Sequence, residues 1–422
     1  MRLLLNNKHF LKNQLLILIC CLLSCVTVVA QSTVKGRVID HAQKTPLANV
    51  NIFLSNATIG AQTNTDGTFF LKGIKPGTYE LVISIVGFET QTQSITLNND
   101  NLILPDIELT AKIIALHEVV VKPIDESERY WCLQTFKAQF LGATDLAADC
   151  KLLNPSVIDF EHNQSSGELK AASSDFIIIE NGTLGYRIKY LLTDFRYQFD
   201  GINATLSYNG SVLFENLTGN DAQKKRWFKK RLEVYEGSEM HFLRSLLNNS
   251  LAADGFTVLQ NAAYHNPNRP SDSLINAKLN YFNQLKDNKA KNSLWRDSLA
   301  LWKKRSQLPE IKHTLYNFVL DRNEIFKFTT KDGIYALGCE FDGLYIAYDK
   351  RHPTAASSSV KPEYFAGNFS YVNFSSLYIF FDMKGWVLNP YSRTFSGAWG
   401  QYRVAGMLPS DYDPEEKPKL DD

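Results

Sequence analysis

Between residues 33 and 110 apolar and polar positions alternate in short runs broken by turn residues. Val34, Gly36 and Val38 share one face of the first run, Val50, Ile52 and Leu54 a face of the second, and Phe69 and Leu71 a face of the third. Tyr79, Leu81, Ile83 and Ile85 then alternate with Glu80 and Ser84, and Gln93–Leu97 and Leu102–Leu109 supply further runs. Asn64-Thr65-Asp66-Gly67, Pro76-Gly77 and Gly87 punctuate them, glycine because a tight hairpin needs a positive φ. Period-two alternation at this spacing predicts a seven-stranded antiparallel β-sandwich over residues 31–111.

The period then changes. Tyr130, Leu133, Phe136, Lys137 and Phe140 fall at helical spacing, so a helix is expected from about Ser127 to the stop at Gly142. Strand-like runs follow at Val157–Phe160, Phe176–Glu180, Tyr186–Tyr190, Phe195–Phe199, Ala204–Tyr208 and Ser211–Phe214, several of them separated by glycine. Asp221–Ala253 reads as helix, divided at Gly237. Residues 262–310 are polar and read as a long loop with one exposed helix near Ser273–Leu301. Strand patterning returns from Ile311 to Tyr391. The expected fold class is therefore mainly β with some helix. A linker at 112–128, carrying a strand at Glu118–Val121, joins the sandwich to a larger β-rich α+β region over 129–410. The acidic, proline-containing tail 411–422 is expected to be disordered.

The opening stretch is of another kind. Arg2, Lys8 and Lys12 precede an almost wholly apolar run, Leu15–Ala30, with small residues at Val28 and Ala30. That is the pattern of an export signal over residues 1–30, cut before Gln31. A retained anchor is the weaker reading, because 16 apolar residues are short for a span. Lipid attachment at Cys25 is weaker too, because Leu23 fits a lipobox poorly. Removing the three cations of this stretch takes the net charge from +1 to −2. A near-neutral chain argues against nucleic acid as partner. Three cysteines leave with the signal. Of the rest, Cys132 and Cys150 are candidates for a disulfide in an oxidising compartment, with buried thiols as the rival reading.

Five segments now carry a family resemblance: Gly36-x-Val38-x-Asp40, Pro46–Ile52, Thr63–Phe69, Gly77–Leu81 and Val86-Gly87-Phe88. In this order they resemble the carboxypeptidase-regulatory-like domain, a module with a transthyretin-like (prealbumin-like) sandwich. The resemblance implies an exported protein of the Bacteroidetes, since the module is abundant there in front of outer-membrane receptors. Leu152–Phe160, Ile179–Tyr190, Trp227–Arg231, Tyr235–Leu246 and Leu408–Pro414 resemble a further Bacteroidetes group named for its front module alone. That second resemblance implies architecture and brings no activity.

Chemistry is sparse. No histidine has glutamate three residues on, so the zinc pair of a carboxypeptidase is missing, and His117-Glu118 lacks the second His of HExxH. No nucleophile elbow, phosphate loop or dinucleotide fingerprint occurs. Asp159 and Glu161 read as loop carboxylates, and Asn64–Gly67 as a hairpin turn in preference to a calcium loop. No catalytic residue, cofactor or metal is therefore expected. The candidate interaction surface is the cation-rich run Lys224, Lys225, Arg226, Trp227, Lys229, Lys230 and Arg231, able to meet anionic lipopolysaccharide or phospholipid headgroups. Beside it stand Tyr235, His241 and Arg244. The expected function is that of a non-enzymatic cell-envelope protein, contacting protein or glycan in the periplasm or at the outer membrane. Rival readings are an accessory of a TonB-type uptake system and an envelope hydrolase. A full receptor barrel of about 22 strands would need roughly twice the residues left after the module.

Overall fold

The computed structural model describes residues 32–98, 100–112, 125–199, 204–287, 294–330, 333–338, 342–350 and 368–418. The export signal, the strand expected at Glu118–Val121 and Cys339 lie outside the described residues. The chain divides into two compact units. One holds residues 32–54 and 59–112, the other 55–58 and 125–418.

The first unit is the expected sandwich. Its strands are β1 (Ser32–Asp40), β2 (Asn51–Leu54), β3 (Gly60–Gln62), β4 (Thr68–Ile74), β5 (Gly77–Ser84), β6 (Gln91–Leu97), β7 (Leu102–Ile103) and β8 (Ile107–Leu109). One sheet is β4-β1 with β7 and β8 along β1, and the other is β3-β2-β5-β6. The run Leu102–Leu109 splits in two because Pro105 cannot continue a ladder, and both halves lie parallel to β1. All other pairings are antiparallel. Val34, Val38, Val50, Ile52, Leu54, Leu71, Leu81 and Ile83 are buried, as the alternation predicts. Ser84 is buried as well, because β5 runs inside its sheet with β2 and β6 on either side. At the expected hairpin, Gly67 has φ 77° and Thr68 donates to the Asp66 carboxylate from both its N–H (3.0 Å) and its hydroxyl (2.7 Å). Those bonds hold Asp66 below the usual carboxylate range.

The second unit opens with helix α1 (Glu126–Leu141), capped by the Asp125 side chain and ended by Gly142 at φ 101°. After a short α2 (Asp145–Ala148) come β9 (Cys150–Leu152), β10 (Ile158–Asn163), β11 (Glu168–Ser173) and β12 (Ile177–Asn181). Two long strands follow, β13 (Tyr186–Phe199) and β14 (Ala204–Asn216). The sequence pattern had divided each of them. β13 continues through a bulge near Thr193. β14 continues through Gly210, where a side chain would meet the Leu191 carbonyl and the Tyr190 ring. β13 carries the sheet, with β14 along one edge and β12 then β11 along the other. Against it α1 lays Phe136 and Phe140, whose rings meet Phe195 at 4.8 Å and Tyr190 at 5.0 Å. Burying each ring contributes roughly 2–3 kcal/mol.

Helices α3 (Asp221–Tyr235) and α4 (Glu239–Leu247) divide at Gly237 as expected. β15 (Phe256–His265), whose last four residues fall in the stretch expected to be loop from 262 onward, pairs with β16 (Ile311–Val319). Two helices stand between them, α5 (Asp272–Asp287) and α6 (Leu294–Ser306), where one was expected. The chain continues through α7 (Arg322–Ile325), β17 (Phe326–Thr329), β18 (Tyr335–Leu337), β19 (Gly343–Tyr348), β20 (Phe369–Phe374), β21 (Ile379–Phe381), β22 (Arg393–Gly397) and α8 (Ala398–Gln401). A five-stranded sheet runs β16-β15-β19-β20-β22, and a three-stranded one β17-β18-β21. Phe242 and Leu246 of α4 share a core with Phe256, Leu344, Val372 and Phe381.

Two expectations are corrected. The chain beyond 410 is not a disordered tail throughout: Tyr412 is buried beside Tyr235, because its ring supplies the apolar surface that the flanking acids lack. Cys132 and Cys150 form no disulfide. Cys132 is buried in the core from α1, while the Cys150 thiol turns back to donate to the Leu146 carbonyl at 3.3 Å. Burial pushes the Cys150 thiol up to about 12.

Candidate functional site

The joint between α3 and α4 gathers the residues that drew attention in the sequence. Gly237 takes φ 80°, and a Cβ there would stand 2.8 Å from the Tyr348 ring. Its carbonyl accepts from Trp399 Nε1 at 2.8 Å, and its N–H donates to His241 Nδ1 at 3.1 Å. Ser238 caps α4 by accepting from the His241 N–H at 3.2 Å. Because Nδ1 is an acceptor, the neutral ring carries its proton on Nε2. The ring lies among Tyr235 at 4.7 Å, Phe256 at 4.9 Å and Tyr348 at 5.6 Å. Burial lowers its pKa, against the opposing charges of Asp254 and Glu236.

One turn on, Arg244 donates to three carbonyls: Lys384 from Nε at 2.7 Å, Tyr412 from Nη1 at 2.9 Å and Ser410 from Nη2 at 3.1 Å. Its guanidinium also sits 5.4 Å from the Tyr235 ring centre. Glu239 holds Arg393 through both carboxylate oxygens, at 2.5 and 2.6 Å. A shallow cleft of about 330 Å³ opens beside Tyr235, His241, Arg244, Ser245, Asp254 and Asp413. Among the described residues the buried Ser245 hydroxyl has no hydrogen-bond partner, and Asp254 accepts from Ser250 at 2.5 Å. Among the described residues no group of three or more His, Cys, Asp or Glu side chains could hold a metal ion.

The cation-rich run of α3 separates into inward and outward members. Trp227 is buried against Gly185 and Gly219 and donates from Nε1 to the Gly182 carbonyl at 2.9 Å. Arg231, one turn along the same helix face, donates to the Leu184 carbonyl at 2.7 Å, the Gly185 carbonyl at 3.0 Å and Asn216 Oδ1 at 3.0 Å. It also lies 3.7 Å from the Tyr186 ring centre. Lys230 and Lys229 face Glu233 at 2.7 and 4.0 Å, and Lys224 faces Asp221 at 4.0 Å. Lys225 and Arg226 alone project as exposed cations without an ion pair among the described residues. The structure thus brings Tyr235, His241 and Arg244 together and places the cations of α3 elsewhere. Asp159 and Glu161 point outward from β10 on either side of buried Phe160. His162 instead meets Glu128 at 2.9 Å, beneath Trp131 at 4.4 Å. A further cationic group, Lys303, Lys304 and Arg305 at the end of α6, went unremarked in the sequence. Trp295 and Trp302, seven residues apart on that helix, were its visible signal.

Residues 34–121 match the CarboxypepD_reg-like domain. The match spans the sandwich of the first unit. A search of curated proteins found no match. Among solved structures, part of the chain is similar to the pilus 2b backbone protein of group B streptococcus, at 21% identity and a TM-score of 0.17. That likeness covers 19% of this chain and 40% of the pilus protein. BcpA, the major pilin subunit of Bacillus cereus, gives 16% identity and a TM-score of 0.17 over 20% of this chain and 31% of its own. A type II cohesin-X-dockerin complex from Acetivibrio cellulolyticus gives 20% and 0.19, over 28% and 79%. The chain spans less than half the length of either pilus protein, and no activity follows from likenesses this partial. Among the described residues no helix is long and apolar enough to cross a membrane.

Proposed function

We propose that this chain is an exported, non-enzymatic cell-envelope protein of a Bacteroidetes bacterium, acting as a binding or scaffold protein for protein or glycan in the periplasm or at the outer membrane. The observation that carries the reading is how the 235–244 joint uses its polar groups. Arg244 donates to three carbonyls of distant segments, Glu239 pairs with Arg393 and His241 accepts from the Gly237 N–H, so these groups serve to hold the joint together, which supports a binding or scaffold role. The apolar run Leu15–Ala30 supports export, and the CarboxypepD_reg-like domain supplies edge strands suited to pairing with an extended partner. Cell fractionation followed by crosslinking and mass spectrometry tests it. The expected result is recovery with the envelope, linked to one recurring protein or glycan. Recovery from the cytoplasm, or turnover of a peptide or sugar by the purified chain, would overturn it.

A further inference from the structure

We propose that the two-helix arm α5–α6 docks on an anionic phospholipid surface through the end of α6. The arm is an insertion. It leaves the sheet after β15 and returns as β16, and these two strands pair with each other. It has little core of its own. Of its described residues only Ile275 and Leu299 are buried, while Leu274, Tyr281 and Leu301 stand 44%, 55% and 48% exposed. An arm that buried its apolar stripe on the body would show the reverse.

Its charge is equally one-sided. Within α6, Arg296, Lys303, Lys304 and Arg305 oppose Asp297 alone, a local excess of three positive charges in a chain whose total is +1. Among the described residues no carboxylate forms an ion pair with Lys303, Lys304 or Arg305. The cations of α3 are for the most part paired or turned inward. Arg305 lies 4.9 Å from the Trp302 ring centre and Arg296 5.4 Å from that of Trp295. Cations beside indole rings, on an arm that also exposes two leucines and a tyrosine, are the composition of a helix lying at a headgroup boundary.

The shape points the same way. A depression of about 480 Å³ opens at the foot of the arm. Lys304 and Arg305 line it together with Pro267, Asn268, Pro270, Leu301 and Leu308. Unpaired cations beside an apolar wall match a ligand that is negative at its head and hydrocarbon below. A nucleic acid would leave the leucines without a partner, and an acidic peptide would leave the wall half filled. The inference goes beyond the proposed function, since anionic phospholipid occurs on both sides of the inner membrane.

The test is co-sedimentation of the chain from residue 31 onward, which retains every described residue and lacks the apolar run that would insert by itself. Vesicles of phosphatidylglycerol and phosphatidylcholine in equal parts are compared with phosphatidylcholine alone. Binding to the anionic vesicles is expected, weakening as salt rises. Lys303→Gln, Lys304→Gln and Arg305→Gln combined should weaken it on the order of 100-fold. Lys225→Gln with Arg226→Gln, which removes the exposed cations of α3 that have no ion pair among the described residues, should leave it unchanged. Leu301→Asn, a half-exposed position, should also weaken it and stands in if the triple variant changes its circular dichroism. Equal binding to neutral vesicles, no binding to anionic ones, or an unaltered affinity in both arm variants would overturn the proposal. None of these results bears on whether the envelope partner of the preceding section exists.

Discussion

Arg244 donates from Nη2 to the carbonyl oxygen of Ser410 at 3.1 Å, across a sequence separation of 166 residues. The two segments so joined, Tyr235–Leu246 and Leu408–Pro414, drew attention separately in the sequence. Their meeting explains them together. A guanidinium offers five N–H donors in a rigid fork, and here three carbonyls from two chain segments accept from it. The residues that most resemble a site are the ones that hold the end of the chain to α4.

The same joint contains an ion pair whose strength can be isolated. The Arg393 side chain is 9% exposed and that of Glu239 26%, with two short bonds between them. Removing one partner strands the other, so Glu239→Gln should cost about 2 kcal/mol, somewhat less than a fully buried pair. Arg393→Met should cost at least as much, and the double variant less than the two together by about 1–2 kcal/mol. Urea unfolding of the four proteins gives the coupling directly. Strict additivity would mean that the pair contributes nothing.

His241 gives the unit a dependence on pH. Burial holds its folded pKa below the ordinary 6.5. The unfolded chain therefore takes up this proton first as pH falls. The stability due to the neutral ring is complete above about pH 6.5 and is lost below it, down to the lowered folded value. His241→Asn keeps an acceptor for the Gly237 N–H and removes the titration. Compared from about pH 8 to pH 5, the wild-type unfolding midpoint should fall relative to that of the variant. Parallel curves would contradict the assignment.

Gly185 and Gly333 separate backbone strain from crowding. Both have positive φ, 69° and 74°. A Cβ at Gly185 would enter the Trp227 indole, whereas among the described residues nothing lies within 4 Å of one at Gly333. Gly333→Ala should cost only the left-handed backbone, about 1–2 kcal/mol. Gly185→Ala adds overpacking of about 1–3 kcal/mol. Calorimetry of the two variants should show that ordering, and equal losses would mean that the indole moves aside freely.

The thiols offer a chemical check on the corrected pairing. With Cys339→Ser as background and residues 1–30 removed, only Cys132 and Cys150 remain. Burial raises both thiols, so neither should be alkylated by iodoacetamide near pH 8 until denaturant is added. Both should then react without reductant. A requirement for reductant would restore the disulfide.

Some of this architecture was legible beforehand, and the reason is local. The alternation of Tyr79, Leu81 and Ile83, the Asp66-Gly67 turn and the Gly142 stop each depend on a few adjacent residues, and each stands as read. What failed depends on distant partners. Gly210 resembled a break, yet it lets β14 pass close to Tyr190. Tyr412 looked like part of an acidic tail, and contacts with distant residues such as Tyr235 and Arg244 make it a packed residue. The cations of α3 looked like a surface because sequence order hides their direction. Arg231 follows Trp227 by four residues and so shares its inward face. α5 and α6 were read as one helix with loop because most of their apolar positions stay partly or wholly exposed and form no stripe packed on the body.

The account rests on Arg244 holding the end of the chain in place, and hydrogen exchange measures that most directly. Backbone amides from Val404 to Tyr412 should be protected in the wild type, consistent with the bond from the Tyr412 N–H to the Pro409 carbonyl at 2.9 Å. Arg244→Lys keeps the charge but cannot span three carbonyls. It should release that segment to rapid exchange while β13 stays protected. Unchanged protection across residues 404–412 in the variant would contradict the account.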